Sequence, residues 1–310
     1  MKPRHPHSTI AGLAVRAYES FVPGFIRIRL HNRWFTRRSA RWQLIRNTPG
    51  SVVRPIAPGV RMKLYGDSLL CEMLYFDDFE PETRHFFDAY LRPGDTFLDI
   101  GANVGLYTLA AARRVGRLGS VHAFEPCSQT FERLAENVQL NGLRNVSCHK
   151  VALSFENAKA ELTLATGGFD AWNSLGKPYM GESGGCETVT TVTLDSFSRE
   201  HRLGGRNCTV KIDVEGWENQ VLAGAEQFLA GDDAPLLCVE FTEEAAVLAG
   251  STCGDLYRTL ERLGYRMFNV SSKVGEIQPF LCRDTFPNVN LIATKDIDAV
   301  RARLDSPGAA

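Results

Sequence analysis

The stretch of sequence that decides the fold is Phe97-Leu-Asp-Ile-Gly-Ala-Asn-Val-Gly-Leu-Tyr-Thr108. Its apolar start, its two glycines and its apolar continuation are typical of a buried strand that enters a turn and then a helix. Gly101 and Gly105 lack side chains, so we expect a ligand to approach the backbone N–H groups at the positive end of that helix. Asn103 stands where the dinucleotide fingerprint G-x-G-x-x-G needs its second glycine. The stretch therefore predicts a ligand-binding turn of a different kind.

Two later segments are apolar runs that end in carboxylates. The run Ser120–Glu125 ends in Glu125, at the distance expected of an acid that accepts hydrogen bonds from ribose hydroxyls. The run Val210–Glu218 reads Val-Lys-Ile-Asp-Val-Glu-Gly-Trp-Glu. Because ligands bind beyond the carboxyl ends of the strands in open α/β sheets, we expect these acids to face one crevice.

In this order the motifs resemble the FkbM family of S-adenosylmethionine-dependent methyltransferases. The segment Asp99–Gly105 has the form D-x-G-x-N-x-G, which is similar to motif I of such enzymes. Other matching segments are Phe79–Glu82, Leu91–Thr96, Thr193–Phe197 and Leu222–Ala225. The resemblance covers about Pro58 to Ala293. It implies an α/β protein with the Rossmann-like class I methyltransferase fold, a seven-stranded, mostly parallel sheet with its last strand antiparallel and helices on both faces.

The alternation of strand and helix patterns predicts βαβ crossovers and a parallel sheet. Apolar runs predict strands at 96–100, 120–125, 146–151, 209–214, 236–241, 266–270 and 288–293. Helical periodicity predicts helices at 9–21, Pro81–Leu91 and 128–140, and one after Gly216. A hairpin is predicted around Arg61–Leu64 and Leu69–Met73.

These elements suggest four parts of the chain. Residues 1–50 are a basic N-terminal extension, 51–95 a lead-in hairpin and helix, 96–300 the methyltransferase domain and 301–310 a tail. An inserted hairpin at about 155–193 is longer than an ordinary connection. Its Trp172, Asn173 and Ser174 either close over an acceptor as a lid or belong to a plain surface hairpin.

The resemblance implies a set of residues that bind S-adenosylmethionine. The loop Gly101–Gly105 would wrap the methionine half of the cofactor. Glu125 would bind the ribose hydroxyls, and backbone near Ala152 would bind the adenine edge. Asp99 would orient the loop or reach the ammonium group of the cofactor. The expected cofactor-binding residues are Asp99, Gly101, Asn103, Gly105, Thr108, Glu125 and Ala152.

Three carboxylates are the candidates for the catalytic residues. Asp213 and Glu215 face the same side while the backbone stays extended, and Glu240 ends the neighbouring apolar run. A hydroxyl acceptor needs a base, and crowded carboxylates in a dry cleft raise one another's pKa toward neutrality. An alternative is that the three residues bind Mg²⁺, which prefers oxygen ligands; we assign no residue as a metal ligand. Glu218 is expected to cap the following helix.

The sequence therefore predicts an S-adenosylmethionine-dependent methyltransferase that methylates a hydroxyl of a small metabolite or a glycan sugar. The acceptor class comes from the family resemblance. Two alternatives are a nucleic-acid methyltransferase that uses the basic extension and a module that binds the cofactor without catalysis.

The charge is distributed unevenly along the chain. The net charge is −1, but residues 1–50 contain ten basic side chains and one acidic side chain, so the remainder is acidic. The extension has three interpretations: a solvated arm, a helix that contacts anionic lipid at the membrane surface, or a nucleic-acid contact. Packing on the domain or on a homodimer partner is the interpretation we favour, and nucleic acid is not an expected partner.

The eight cysteines include no C-x-x-C pair, and several lie in apolar runs. This pattern is typical of free thiols in a reducing compartment. No apolar stretch approaches the length of a membrane span, and Arg16 and Glu19 interrupt a secretory-signal pattern. We therefore expect a cytoplasmic protein.

Overall fold

The computed structural model describes residues 40–47, 50–205, 207–231, 233–271, 276–283, 286 and 288–306. The chain divides into two compact units, Met1–Gly50 and Ser51–Ala310. In the first unit a helix spans 40–46. The helix predicted at 9–21 lies outside the described residues.

The second unit begins with a hairpin and two helices. Strands β1 (Ser51–Ala57) and β2 (Val60–Tyr65) pair antiparallel and are followed by α1 (Leu69–Tyr75) and α2 (Pro81–Tyr90). The prediction that Leu69–Met73 forms a hairpin strand was therefore wrong. The Ser68 hydroxyl accepts the N–H of Cys71 and caps a helix there, and a two-residue turn closes the hairpin earlier in the chain.

The other elements follow in chain order. The strands are β3 (Thr96–Ile100), β4 (Ser120–Phe124), β5 (Val146–His149), β6 (Ala152–Leu153), β7 (Ala158–Ala165), β8 (Ser183–Val192), β9 (Cys208–Ile212), β10 (Leu236–Phe241), β11 (Arg266–Val270), β12 (Ile277–Pro279) and β13 (Val289–Thr294). The helices are α3 (Leu106–Val115), α4 (Ser128–Leu140), α5 (Leu194–His201), α6 (Glu218–Ala223), α7 (Glu226–Ala230), α8 (Glu243–Leu248), α9 (Cys253–Arg262) and α10 (Ile297–Asp305). Within the described residues, no helix combines the length and the apolar character needed to cross a membrane.

The main sheet has the order β12-β11-β13-β10-β9-β3-β4-β5. Five neighbouring strands of this order are parallel to one another, namely β10, β9, β3, β4 and β5. Strand β13 lies between β10 and β11 and is antiparallel to both. This confirms the predicted fold class and the antiparallel last strand. The sheet has eight strands instead of seven because the short strand β12 pairs with the outer edge of β11.

The central strands position the site because they are buried on both faces. Every residue of β9 is buried, as are the last four residues of β3. Strands covered on both faces read as continuous apolar runs, which is why the sequence revealed them. Their carboxyl ends lie side by side, since Ile100 is in register with both Phe124 and Ile212.

The helix predicted after Gly216 is divided into α6 and α7. Gly224 ends α6, and its carbonyl accepts the N–H of Asp195 at 2.9 Å. The Asp195 carboxylate then accepts the N–H groups of Gln227 and Phe228 at the start of α7. A side chain from a distant segment thus starts a second helix where periodicity predicted a continuous one.

The end of the chain packs on the start of the domain. Helix α10 extends through residues 301–305, which the sequence pattern assigned to a tail. Arg303 of α10 donates to the Asp95 carboxylate and, at 2.8 Å, to the carbonyl of Tyr90. These bonds tie the last helix to the corner between α2 and β3.

The insertion forms a small sheet of its own. Strands β7 and β8 pair antiparallel as predicted, and β6 joins β8 in parallel. A short 3₁₀ turn at Asp170–Trp172 lies between the two long strands. Arg133 of α4 pairs with Asp170 and with Asp67, so this turn is fixed to the domain.

The two glycines of the first turn are required by packing within the protein. Gly101 has φ +84°, and a Cβ placed there would lie 1.7 Å from the carbonyl oxygen of Asp213. A Cβ at Gly105 would lie 2.8 Å from Cδ1 of Leu134. Both glycines let the turn pack against the segment after β9 and against α4. The expectation that they also make room for a ligand stays a prediction.

We predict that Gly101→Ala lowers the free energy of unfolding by about 3 kcal/mol or more, because the new methyl overlaps backbone that cannot move aside. Gly94→Ala is the matched control, since Gly94 has φ +93° and no atom within 4 Å of an added Cβ. It should cost about 1 kcal/mol. Urea denaturation of both variants measures the difference, and equal losses would contradict this account of Gly101.

Candidate functional site

A cavity of about 330 Å³ lies beyond the carboxyl ends of the parallel strands. This volume is within the range of small-molecule pockets. Of the predicted site residues, the structure brings together at its wall Gly101, Asn103, Glu125, Ala152, Asp213, Glu215 and Glu240. Asp99, Gly105 and Thr108 are not among the lining residues. The cavity lies at the topological position where α/β sheets bind ligands.

One end of the cavity is a cluster of acids. Carboxylate oxygens of Asp213, Glu215 and Glu240 lie within 4.8 Å of one another. Asp213 and Glu215 follow β9 and Glu240 belongs to β10, and these strands are adjacent and parallel. The backbone at Glu215 is not extended as the sequence suggested: its φ is +55°, in the left-handed region. The chain therefore turns after Asp213, yet both side chains reach the cluster.

Lys211 is buried beside this cluster. Its side chain is 2% exposed, and its ammonium group forms an ion pair with Asp213. Burial acts to lower the pKa of Lys211, but the carboxylates of Asp213, Glu80 and Asp99 raise it overall. Lys211 is therefore a charged group held by carboxylates.

Glu215 and Glu240 keep carboxylate oxygens without a partner. The Oε2 atom of each is inaccessible to solvent and accepts no hydrogen bond. Burial raises the pKa of both side chains well above the ordinary value, and the charge of Asp213 raises it further. Buried cavity carboxyls with a perturbed pKa are candidates for proton transfer.

Glu218 supports the turn that carries Glu215. Its carboxylate accepts the N–H of Val214 at 3.0 Å and the N–H of Gly216 at 3.3 Å. Burial raises the pKa of Glu218 to about 7, although these N–H groups act in the opposite direction. The side chain thus holds the turn before α6 and does not cap the helix as expected, since the N-cap residue is Trp217 and no side chain caps that end.

Glu125 lies at the opposite end of the cavity. The side chain is buried, and its two oxygens accept the N–H of Asn103 at 3.0 Å and the N–H of Cys127 at 2.9 Å. Burial raises the pKa of Glu125 to about 8. Asp170 also lines this end, and its Oδ1 atom is buried without a hydrogen-bond partner. This end therefore offers carboxylate acceptors to a ligand that carries hydroxyl or amino groups.

Asp99 and Thr108 lie in the interior instead of at the cavity wall. Asp99 is 1% exposed and accepts the hydroxyl of Thr108 at 2.5 Å. The bond joins the end of β3 to the first turn of α3. Thr108 is the hydrogen-bond partner of Asp99, and neither residue lines the cavity. The roles expected of both toward the cofactor stay predictions.

No sequence signal indicated Glu80, Tyr179 and Asn288, although all three line the cavity. Trp172, for which a lid and a plain surface hairpin were both expected, lines it too. Trp172 and Tyr179 come from the insertion and pack edge to face. Glu80 comes from the start of α2. Glu80, Asn103 and Glu215 are non-glycine residues with positive φ, and all three line this cavity. Such backbone conformations often mark functional sites, and only the structure reveals them.

A family model described as the methyltransferase FkbM domain matches residues 99–267. The matched range begins at Asp99, contains Glu125, the insertion and all three carboxylates of the acidic cluster, and ends in β11. No curated protein matches the chain.

Solved structures provide further similarities. The methyltransferase FkbM from Methylobacillus flagellatus KT is 13% identical over 72% of this chain and 54% of its own chain, with a TM-score of 0.42. This chain thus spans about half the length of that protein. The S-adenosylmethionine-dependent O-methyltransferase from Thermotoga maritima is 14% identical over 79% of this chain and 78% of its own, with a TM-score of 0.39. M. jannaschii TYW2 in complex with AdoMet is 12% identical over 80% of this chain and 85% of its own, with a TM-score of 0.40.

The buried acids of the cavity predict a characteristic pH dependence of stability. The pKa is raised to about 8 at Glu125, about 7 at Glu218 and about 6 at Asp170, in each case chiefly by burial. The folded protein therefore holds protons that the unfolded chain has already released, so the free energy of unfolding falls as pH rises from about 5 to about 8. Each extra proton that the folded protein holds lowers the free energy of unfolding by about 1.4 kcal/mol for every unit of pH increase.

Urea denaturation across this pH range measures the effect. Glu125→Gln should flatten the curve, because the amide carries no titrating proton. The exposed Glu132→Gln on the neighbouring helix α4 is the control and should leave the slope unchanged. A free energy of unfolding that rises with pH over this range would contradict the prediction.

Proposed function

Because the chain belongs to the FkbM methyltransferase family, we propose that it transfers a methyl group from S-adenosylmethionine to a hydroxyl of a small metabolite or a glycan sugar. The observation that carries this proposal is the acidic cluster at one end of the cavity, where Glu215 and Glu240 have unpartnered oxygens. A neutral hydroxyl is a poor nucleophile, and these carboxylates are suited to accept its proton.

The residues at the Glu125 end fit S-adenosylmethionine. Glu125 and the unpartnered Oδ1 of Asp170 can accept hydrogen bonds from ribose hydroxyls and an adenine amino group. Ala152 and Leu162 provide an apolar wall for a planar base. When bound, the cofactor supplies a methyl group on a sulfonium, which is transferred by in-line displacement. The protein's main tasks are then alignment and exclusion of water.

The acceptor would occupy the other end of the cavity, next to the carboxylates. One oxygen of Asp213 is engaged by Lys211, whereas Glu215 and Glu240 each keep an oxygen without a donor. We therefore assign the base to the Glu215–Glu240 pair and a positioning role to Asp213. Trp172 and Tyr179 from the insertion line the cavity, and the acceptor would pass them as it enters. The three carboxyl groups of the acidic cluster disfavour a phosphate-rich acceptor such as nucleic acid.

Mg²⁺ at Asp213, Glu215 and Glu240 is the alternative means of activating the hydroxyl, since their oxygens are close enough to share one ion. Dialysis against EDTA separates the two mechanisms. The base mechanism requires that the methyl-transfer rate is unchanged, whereas a rate that falls and returns with added Mg²⁺ supports the alternative.

We also propose a reducing compartment such as the cytoplasm. All eight cysteines are free thiols, and five of them are buried. Fractionation of cells that express the full chain tests this location.

For the donor site we predict that Glu125→Gln weakens binding of S-adenosylhomocysteine about tenfold, because one of the two carboxyl oxygens that can accept from the ribose hydroxyls becomes an amide nitrogen, which only donates. Isothermal titration calorimetry measures the affinity. Glu132→Gln on the exposed face of α4 is the control and should bind normally. Unchanged affinity in Glu125→Gln would place the cofactor elsewhere.

For the acceptor site we predict that Glu215→Gln and Glu240→Gln each lower methyl transfer at least about 100-fold, because the proton acceptor is removed. Affinity for S-adenosylhomocysteine should stay within about twofold of that of the unmodified protein. The exposed Glu244→Gln is the matched control.

The assay follows tritiated methyl from S-adenosylmethionine into a panel of monosaccharides and hydroxylated metabolites, with product linkage determined by NMR. Methyl ethers are the expected products. Products methylated only on nitrogen or carbon, or full activity in both carboxylate variants, would overturn the proposal.

A further inference from the structure

Ser174 lies in the insertion, directly behind the wall of the cavity. Its neighbours Asn173 and Leu175 line the cavity, whereas Ser174 itself does not. Ser174 is 1% exposed. A serine hydroxyl buried to this extent needs hydrogen-bond partners within the protein. One of its partners lies outside the insertion, in the turn that carries a candidate catalytic residue.

The hydroxyl of Ser174 joins the insertion to the turn after β9. It donates to the backbone carbonyl of Glu215 at 2.8 Å and accepts the N–H of Gly176 at 3.0 Å. A hydroxyl has one hydrogen to donate, so the donor of Ser174 is committed to this carbonyl. The bond links residues that are 41 positions apart in the chain. It is therefore a tertiary contact between the insertion and the acidic cluster.

The backbone around Ser174 is fixed, so its hydroxyl is presented from a rigid frame. Ser174 exchanges two backbone hydrogen bonds with Thr163 of β7, at 2.9 Å and 3.1 Å. Two residues further on, Gly176 packs closely on the segment after α8, since a Cβ added to it would lie 3.0 Å from Cα of Ala249. The position of the hydroxyl is thus determined by β7 on one side and by this packing on the other.

The turn at Glu215 has a backbone conformation that needs such support. Glu215 has φ +55°, in the left-handed region, which a non-glycine residue keeps only when its surroundings hold it there. The Glu218 carboxylate accepts the N–H groups of Val214 and Gly216, one on each side of Glu215. Ser174 binds the carbonyl of Glu215 itself. The N–H groups and the carbonyl of this turn are therefore held by different side chains.

The direction of the Glu215 side chain depends on this conformation. The carboxylate of Glu215 lies within 4.8 Å of those of Asp213 and Glu240. If the backbone of Glu215 relaxed to the common extended conformation, the Cα–Cβ bond would point in another direction and the carboxylate would leave the cluster. A bond that stabilises the left-handed conformation therefore also places the carboxylate.

We propose that Ser174 is a positioning residue of the active site: its hydroxyl fixes the carbonyl of Glu215 and thereby holds the Glu215 carboxylate beside that of Glu240. This inference rests on the proposed use of Glu215 in catalysis. It gives the insertion a part in the chemistry in addition to lining the cavity, and it acts through the backbone of Glu215 without a contact to the substrate.

The first test measures the turn directly and needs no acceptor. Amide hydrogen exchange of the full chain is followed by mass spectrometry in the peptide that contains residues 214–217. In Ser174→Ala the amides of this peptide should exchange about tenfold faster, because the turn loses one of the bonds that hold it closed. Binding of S-adenosylhomocysteine, measured by calorimetry, should stay unchanged.

The second test separates positioning from a merely structural role. In the methyl-transfer assay, Ser174→Ala should lower kcat about tenfold or more, because the Glu215 carboxylate is no longer held in place, and should leave the KM for S-adenosylmethionine unchanged. Assays at a temperature where the variant is fully folded exclude loss of stability as the cause.

Ser198→Ala is the matched control. Ser198 of α5 is also buried and donates its hydroxyl to a backbone carbonyl, that of Asp195, at 3.1 Å, but it does not line the cavity. Its removal should change neither exchange at residues 214–217 nor kcat. If Ser174→Ala does not fold, Ser174→Cys replaces it: the thiol is nearly the same size and a weak donor, so both effects should be smaller and in the same direction.

Unchanged exchange at residues 214–217 in a folded Ser174→Ala protein would overturn the inference, and so would weaker binding of S-adenosylhomocysteine in that variant. If Glu215→Gln loses activity while Ser174→Ala keeps its kcat, the positioning role fails and the proposed function stands. If Glu215→Gln transfers methyl groups at the full rate, the proposed base is wrong and the inference falls with it. The two failures are therefore distinguishable.

Discussion

A buried ammonium group organises this active-site cavity. Lys211 lies in the most deeply covered strand of the sheet, where water cannot solvate its charge. Carboxylates must compensate for it, and they come from separate parts of the chain: Asp213 from the end of the same strand, Glu80 from the lead-in segment and Asp99 from the neighbouring strand β3. Burial raises the pKa of Glu215 and Glu240, and the neighbouring acids raise it further. The proposed chemistry depends on that one electrostatic requirement.

Much of the framework is predictable from the sequence because it depends on local pattern. Strands buried on both faces read as apolar runs, and their carboxyl ends meet at one edge by topology alone. The sequence pattern is therefore sufficient to identify Asp213, Glu215 and Glu240 as neighbours. The helix at 128–140 and the hairpin of the insertion follow from periodicity in the same way.

The rest depends on contacts between distant segments. The Asp195 carboxylate starts a second helix at Gln227, and no local pattern indicates this. Gly101 has the appearance of a ligand-binding glycine, but the carbonyl of Asp213, more than a hundred residues away, already excludes a side chain there. Glu80, just before α2, belongs to the site only because the fold brings it to the same cavity as Asp213 and Glu240. Each of these features is a tertiary constraint, which periodicity and spacing do not encode.

The position of β13 bears on how the protein is made. This strand lies between β10 and β11. Arg303, which follows it in the chain, donates hydrogen bonds to Tyr90 and Asp95, just before the parallel strand β3 begins. A ribosome must therefore release almost the whole polypeptide before the sheet can close, and until then the facing edges of β10 and β11 lack their partner. Nascent chains stalled short of this strand would expose two unpaired strand edges, which can pair with the edges of other chains.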